Sequence, residues 1–91
     1  MSASPKSIHE GMYYTYVLES LSSPGKVYRG HTSDLESRLI EHNQGRCKHT
    51  SKHRPWKLSL YVAFDSRDLA RSFERYLKSG SGRAFAKRHF E

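Results

Sequence analysis

Between residues 12 and 30 the chain holds two tyrosine-bearing segments separated by Ser22-Ser23-Pro24-Gly25. Tyr, Val and Thr suit the pleated, half-buried surface of a sheet, so residues 12–20 read as a strand. Period-two alternation puts Tyr14, Tyr16 and Leu18 on one face and Tyr13, Thr15 and Val17 on the other. Ser-Ser-Pro-Gly is turn chemistry, and residues 26–30 return as the second strand of a hairpin.

The remaining elements follow from periodicity and punctuation. Residues 33–43 read as a helix, with Ser33 as N-cap, Glu36 completing a capping box and Gln44-Gly45 as the stop. On that helix Leu35, Leu39 and His42 lie within about 60° of arc, and Arg38 lies about 60° to one side. Residues 46–54 form a basic, irregular loop closed by Pro55-Trp56. Residues 57–64 alternate as a strand, with Leu58, Leu60 and Val62 on one face and Tyr61 and Ala63 on the other. Asp65-Ser66 caps a second helix that runs to about Lys78, with Leu69, Ala70, Phe73, Tyr76 and Leu77 as its buried stripe. Glu74 falls about 40° past Ala70, on the edge of that stripe. Ser79-Gly80-Ser81-Gly82 breaks the helix, and residues 83–90 make a short basic helix docked by Phe85, Ala86 and Phe90. The predicted class is α+β, in the order β-β-α-β-α-α. Residues 1–11 read as a disordered extension and 12–91 as one domain.

Composition narrows the partners. The formal charge is +7, from 16 Lys and Arg against 9 Asp and Glu, with the carboxylates scattered along the 91 residues. Such a balance attracts a polyanion, most simply nucleic acid. One cysteine, Cys47, cannot close an internal disulfide and fits a reducing compartment. No apolar run approaches the roughly 18 residues that span a bilayer. The first eleven residues lack the apolar core of a secretory signal. The expectation is a cytoplasmic protein with no membrane partner.

Several side chains can carry chemistry. Arg38 shares a face with Leu35 and Leu39, the only aliphatic residues on that face, and an unpaired arginine there would be costly to bury. It can offer its fork of donors to a phosphate, or pair with Glu74 or Asp34. His42 can exchange a proton near neutral pH or be a satisfied, half-buried side chain. Tyr16 and Tyr28 sit on neighbouring strands, where they pack or bring two hydroxyls together. A free tyrosine titrates near pH 10, so acting as a base at neutral pH needs assistance. Glu74 can hold a Mg²⁺ that keeps most of its waters, or pair with Lys78 one turn on. Cys47, His49 and His53 have part of a zinc spacing but lack a fourth ligand. The loop is better read as facing nucleic acid through Arg46, Lys48, His49, Lys52 and Arg54. His31, Lys57, Lys78 and Arg83 extend that candidate surface.

At these residues the chain resembles the GIY-YIG endonuclease family. Tyr14-Thr15-Tyr16 stands for the first triplet and Tyr28-Arg29-Gly30 for the second. Arg38 and His42 fall at the family's offsets, and Glu74 stands where the family carries its metal-binding glutamate. Residues 12–85 are covered, and the chain is most similar to small, free-standing bacterial members and to the nuclease domain of the excision-repair incision subunit. The stretches Glu41-His42-Asn43 and Arg54-Pro55-Trp56-Lys57 also match that group. The resemblance implies a three-stranded antiparallel sheet flanked by helices and one-metal hydrolysis of a phosphodiester in DNA, damaged or branched, with Mg²⁺ or Mn²⁺. By carry-over, Tyr28 or Tyr16 activates water, Arg38 stabilises the charge developing on phosphorus, His42 holds a tyrosine or relays a proton, and Glu74 holds the ion. The first triplet departs from the family by lacking its glycine and isoleucine. Arg29 replaces an apolar middle residue in the second, and His31 stands where many relatives have lysine. A nucleic-acid-binding module with the same fold and no cleavage is the alternative.

Overall fold

The computed structural model describes residues 11–90. Its elements are β1 (Tyr13–Ser20), β2 (Val27–Thr32), α1 (Leu35–Asn43), a 3-10 turn (Ser51–His53), β3 (Trp56–Phe64), α2 (Arg67–Lys78) and α3 (Gly80–Phe90). The order is the expected one, an antiparallel sheet β2-β1-β3 packed against helices. Apart from Gly11, the stretch read as an extension lies outside the described residues, as does the side chain of Phe90, expected to dock.

β1 lies between both partners and is covered by α1 on one face and by α2 and α3 on the other, so every residue from Tyr14 to Leu18 is buried. Tyr16, Leu18 and Trp56 pack with Tyr28, Leu35, Leu39 and Leu58 on the α1 side. Val17, Leu77 and Ala86 pack with Leu60 and Phe73 on the other. Thr15, fully buried, donates its hydroxyl to the Ala70 carbonyl at 2.6 Å and so ties α2 to the sheet. The hairpin turn places Gly25 at φ +88°, a region that only glycine enters without strain. Ser20 secures the same turn: its oxygen accepts from the Ser23 amide at 2.9 Å and donates to the His53 carbonyl at 2.7 Å.

Four expectations are corrected. β3 does not keep Leu58, Leu60 and Val62 on one face. Val17 pairs with Leu60 while Leu18 pairs with Leu58, so a bulge at Ser59 turns Leu58 to the α1 side. α1 is capped by Asp34, not Ser33: one carboxylate oxygen accepts from the Ser37 amide at 3.1 Å and the other from the Ser37 hydroxyl at 2.9 Å. Aspartate supplies two acceptors and a charge at the positive end of the helix, which a serine cannot match here. The α2 stripe is narrower than expected, because Leu69 and Tyr76 are 52% and 40% exposed. The sheet meets Ala70, Phe73 and Leu77 at spacing i, i+3, i+7, and Leu69 and Tyr76 lie on one flank of that line. Glu74 and Lys78 lie on the opposite flank.

The fourth correction is the break between α2 and α3, which is the single residue Ser79 rather than Ser79 to Gly82, so α3 begins at Gly80 rather than at residue 83. Gly82 is buried inside it, and a methyl group added there would collide with the Tyr76 carbonyl oxygen. Gly82→Ala is expected to cost about 1–3 kcal/mol, the range for overpacking. Urea unfolding measures this, and an unchanged midpoint would mean that α3 does not rest so closely on α2.

Candidate active site

The α1 face of the hairpin gathers three of the candidate residues. Tyr16 on β1 and Tyr28 on β2 stand with ring centroids 6.2 Å apart. His42, from the last turn of α1, lies 4.9 Å from Tyr28 and 5.9 Å from Tyr16. Gly30, across from Tyr16 in the ladder, makes room for this arrangement. A Cβ at Gly30 would come within 2.6 Å of the Tyr16 hydroxyl and 3.0 Å of the Tyr28 ring. The glycine of the second triplet is therefore a steric requirement of the tyrosine of the first.

His42 is 1% exposed, and both its nitrogens are engaged. Nε2 lies 2.9 Å from the Tyr16 hydroxyl, and Nδ1 lies 2.7 Å from the Thr50 hydroxyl. Burial, reinforced by the nearby Arg38 charge and opposed by Glu41, holds the imidazole below its usual pKa, so it is neutral at pH 7. Tyr16 is 2% exposed. Burial, with a smaller contribution from Tyr28, pushes its hydroxyl far above the usual tyrosine value, although Arg38 pulls it down. Tyr16 is therefore a protonated phenol. Tyr28 differs in being half-buried, and among the described residues its hydroxyl has no hydrogen-bond partner.

Arg38 is more exposed than a position on the inward stripe suggests. Its side chain is 44% exposed and donates to Glu41 at 3.1 Å, rather than pairing with Glu74 or Asp34. It remains close enough for its charge to act on Tyr16 and His42.

Glu74 lies on the other face of the sheet. The ladder pairs Thr15 with His31 and Tyr16 with Gly30, so successive β2 residues alternate between α2 and α1. His31 faces α2, where its Nδ1 pairs with Glu74 Oε1. Glu74 Oε2 accepts from Lys78 at 2.6 Å. Burial raises the Glu74 carboxyl, but the bonds from Lys78 and His31 outweigh it and hold the group below its usual range. Arg29 shares this face of the edge strand, half-buried, with its Nε unpartnered among the described residues. An edge position lets a charged residue stand where the family has an apolar one.

The candidate nucleic-acid residues divide in the same way. Arg46, Lys48, His49 and Lys52 extend into solvent from the loop that also carries Thr50, beside the α1-face site. Arg54 is exposed but turned back, its Nε donating to the Ser51 carbonyl at 2.9 Å. Lys57 pairs with Glu19 at 3.5 Å, and Arg83 donates to the Lys78 carbonyl at 3.1 Å. His53 bonds the Ser23 hydroxyl through Nδ1 at 2.9 Å. Thr50 and Asn43 were not anticipated as organising residues. Asn43 clasps Trp56, accepting from its amide at 2.6 Å and donating to its carbonyl at 3.0 Å, which joins the end of α1 to β3. Only its place beside His42 in the Glu41-His42-Asn43 stretch drew notice to it.

A small α+β domain thus holds two tyrosines over a buried histidine on one face of its hairpin, with an arginine at the mouth and a carboxylate across the edge strand. The chain belongs to the GIY-YIG family, a family of nuclease domains: the model of the GIY-YIG catalytic domain matches residues 12–88. It is similar to UPF0213 protein YsiG of Lactococcus lactis, 42% identical over 67 residues, 72% of this chain and 62% of that protein. The matched part is thus less than two thirds of that relative. UPF0213 protein SpyM3_1077 of Streptococcus pyogenes is 39% identical over 72 residues, 78% of this chain and 76% of that one. Among solved structures, the solution NMR structure of UPF0213 protein BH0048 from Bacillus halodurans matches with a TM-score of 0.50 and 31% identity, over 84% of this chain and 80% of that one. No helix among the described residues is long and apolar enough to cross a membrane.

Proposed function

We propose that the protein is a divalent-metal-dependent DNA endonuclease that hydrolyses phosphodiester bonds in the repair or processing of damaged or branched DNA. The observation that carries this reading is half-buried Tyr28, its hydroxyl unpartnered among the described residues, above a buried Tyr16–His42 pair that has Arg38 beside it. Tyr28 meets the attacking water. Tyr16, deeply buried and held as a phenol, is less suited to be the base. Arg38 gives up Glu41 cheaply, since an exposed pair of this kind is worth about 0–1 kcal/mol, and turns its fork to the phosphate. The solvent-facing cations of the loop hold the flanking backbone.

Glu74 suits Mg²⁺ or Mn²⁺ in its chemistry: it is an ionised oxygen donor at a sheet edge, and Mg²⁺ needs only one or two carboxylates with water and phosphate. Among the described residues no cluster of three ligating side chains accompanies it. Such an ion, once bound, neutralises charge on the phosphate and the leaving oxygen. Lys78 would have to release Glu74 first. That closed carboxylate favours a second reading, a nucleic-acid-binding module without cleavage.

The two readings part in one assay. Purified protein is incubated with single-stranded, duplex, flap and junction DNA, with Mg²⁺ or Mn²⁺ and with EDTA. The nuclease reading expects nicking of at least one substrate, lost in EDTA and in Glu74→Ala with the fold intact. Binding that weakens steeply with salt, without any cut strand on the whole panel, would leave only the second reading.

A further inference from the structure

We infer that Thr50 is a positioning residue that fixes the tautomer of His42 and thereby aims the Tyr16 hydroxyl. Thr50 is 1% exposed and lies in the loop after α1. Its hydroxyl has one proton, and the Cys47 carbonyl offers it an acceptor at 3.3 Å, a long contact to an oxygen that already takes the Ser51 amide at 3.0 Å. Its amide nitrogen bonds the same carbonyl at 3.1 Å, and its own carbonyl accepts the Trp56 indole at 2.8 Å, so Thr50 is held from both sides. The Tyr16 phenol, 2% exposed, decides the direction: among the described residues His42 Nε2 is the only acceptor within reach of its proton, so Nε2 accepts and the Thr50 oxygen faces Nδ1 as an acceptor across 2.7 Å. Nδ1 then carries the imidazole proton and Nε2 is bare. The Tyr16 hydroxyl, 2.9 Å away, donates to Nε2.

The consequence reaches the mouth of the site. A phenol that donates its proton inward leaves its lone pairs facing outward, where Arg38 and Tyr28 lie. In the opposite tautomer Nε2–H would take one of those lone pairs, and the phenol proton would point at the arginine. Thr50 thus selects the arrangement in which Tyr16 receives the Arg38 guanidinium and holds it beside Tyr28. The tautomer of a histidine is set by the partner of its other nitrogen, a general rule that here assigns the choice to a loop threonine. The mechanistic weight of this rests on the nuclease reading, but the tautomer itself does not.

The test uses ¹⁵N-labelled protein in the neutral pH range and reads the His42 ring nitrogens by NMR. Wild type should show protonated Nδ1 and bare Nε2. Thr50→Val, close in shape but without the acceptor, should move His42 toward the Nε2–H form, and Thr50→Ser should restore the wild-type pattern. If the protein nicks DNA, Thr50→Val should also slow nicking about 10–100-fold, the range found for outer partners of a working histidine, with Thr50→Ser active. A wild-type His42 in the Nε2–H form overturns the inference, and this holds even if Thr50→Val fails to fold. An unchanged tautomer in folded Thr50→Val overturns it as well. A tautomer that shifts as expected in a protein that cuts nothing upholds the inference and counts against the nuclease reading alone.

Discussion

Tyr28→Phe should lower the rate of strand cleavage by about 10²–10⁴-fold, the usual worth of a positioned acid–base group. DNA affinity and the thermal midpoint should stay close to wild type. The structure separates the two functions of this side chain. Its ring packs against the α1-side core and lies 4.9 Å from His42, and phenylalanine keeps all of that area. Its hydroxyl, which phenylalanine lacks, has no partner among the described residues, so its removal leaves no buried group unsatisfied. A single-turnover nicking assay beside a salt titration of DNA binding checks both halves. Cleavage within twofold of wild type would remove Tyr28 from the chemistry and return attention to Tyr16. Weakened binding with unchanged single-turnover cleavage would make Tyr28 a contact to the substrate rather than a group that acts on water.

The difference between the two tyrosines was not legible from the chain. Tyr16 ends its triplet and Tyr28 begins the other, and neither triplet says which of the two strands is central. What separates them is strand order: β1 is central and buries Tyr16, while β2 is an edge and leaves Tyr28 half-open. The hairpin, the helix order and the cap of α2 were legible, because Pro24-Gly25, Ser66 and the apolar spacings each have one strong local meaning. The bulge at Ser59 was not, since Leu58-Ser59-Leu60 alternates the same way with or without it. Only the ladder with β1 decides. Likewise Ser33 read as the cap because Glu36 completes a capping box with it, and the cap moved to Asp34 because Ser37 offers it both an amide and a hydroxyl. His42 was placed correctly by periodicity as an inward residue. Arg38 shares that face by angle, yet about 60° is enough to bring a long side chain to solvent on a helix at the rim of a small sheet. Glu74 was foreseen at the edge of its stripe, but which face of the sheet it served depended on the register of β2. Thr50 had no signal at all, because nothing local distinguishes it from Ser51.

His42→Ala should be the most destabilising of these substitutions, by about 3–5 kcal/mol. Removing the ring leaves the deeply buried Tyr16 hydroxyl without its acceptor, at about 1–3 kcal/mol, takes from buried Thr50 the shorter of its two contacts, and opens a cavity in addition. A domain of this size has about 5–15 kcal/mol in total, so the variant should lie near its unfolding transition at room temperature. The pH dependence gives an independent check. His42 titrates lower folded than its ordinary 6.5, so the unfolded chain binds this proton first as the solution is acidified. The stability it contributes is therefore complete above about pH 6.5 and is lost as pH falls through the depressed folded value. Asp34 and Glu74, whose carboxyls are also held low, lose their contributions only at more acidic pH, in and below the carboxylate range. Urea unfolding of wild type should therefore weaken first just below pH 6.5. In a folded variant that keeps the volume but has no group to titrate, His42→Leu, that first step should disappear while the later carboxylate step remains. If the His42→Leu curve falls in parallel with wild type from pH 6.5 downward, the imidazole is not buried as the neutral base that the Tyr16 and Thr50 bonds require.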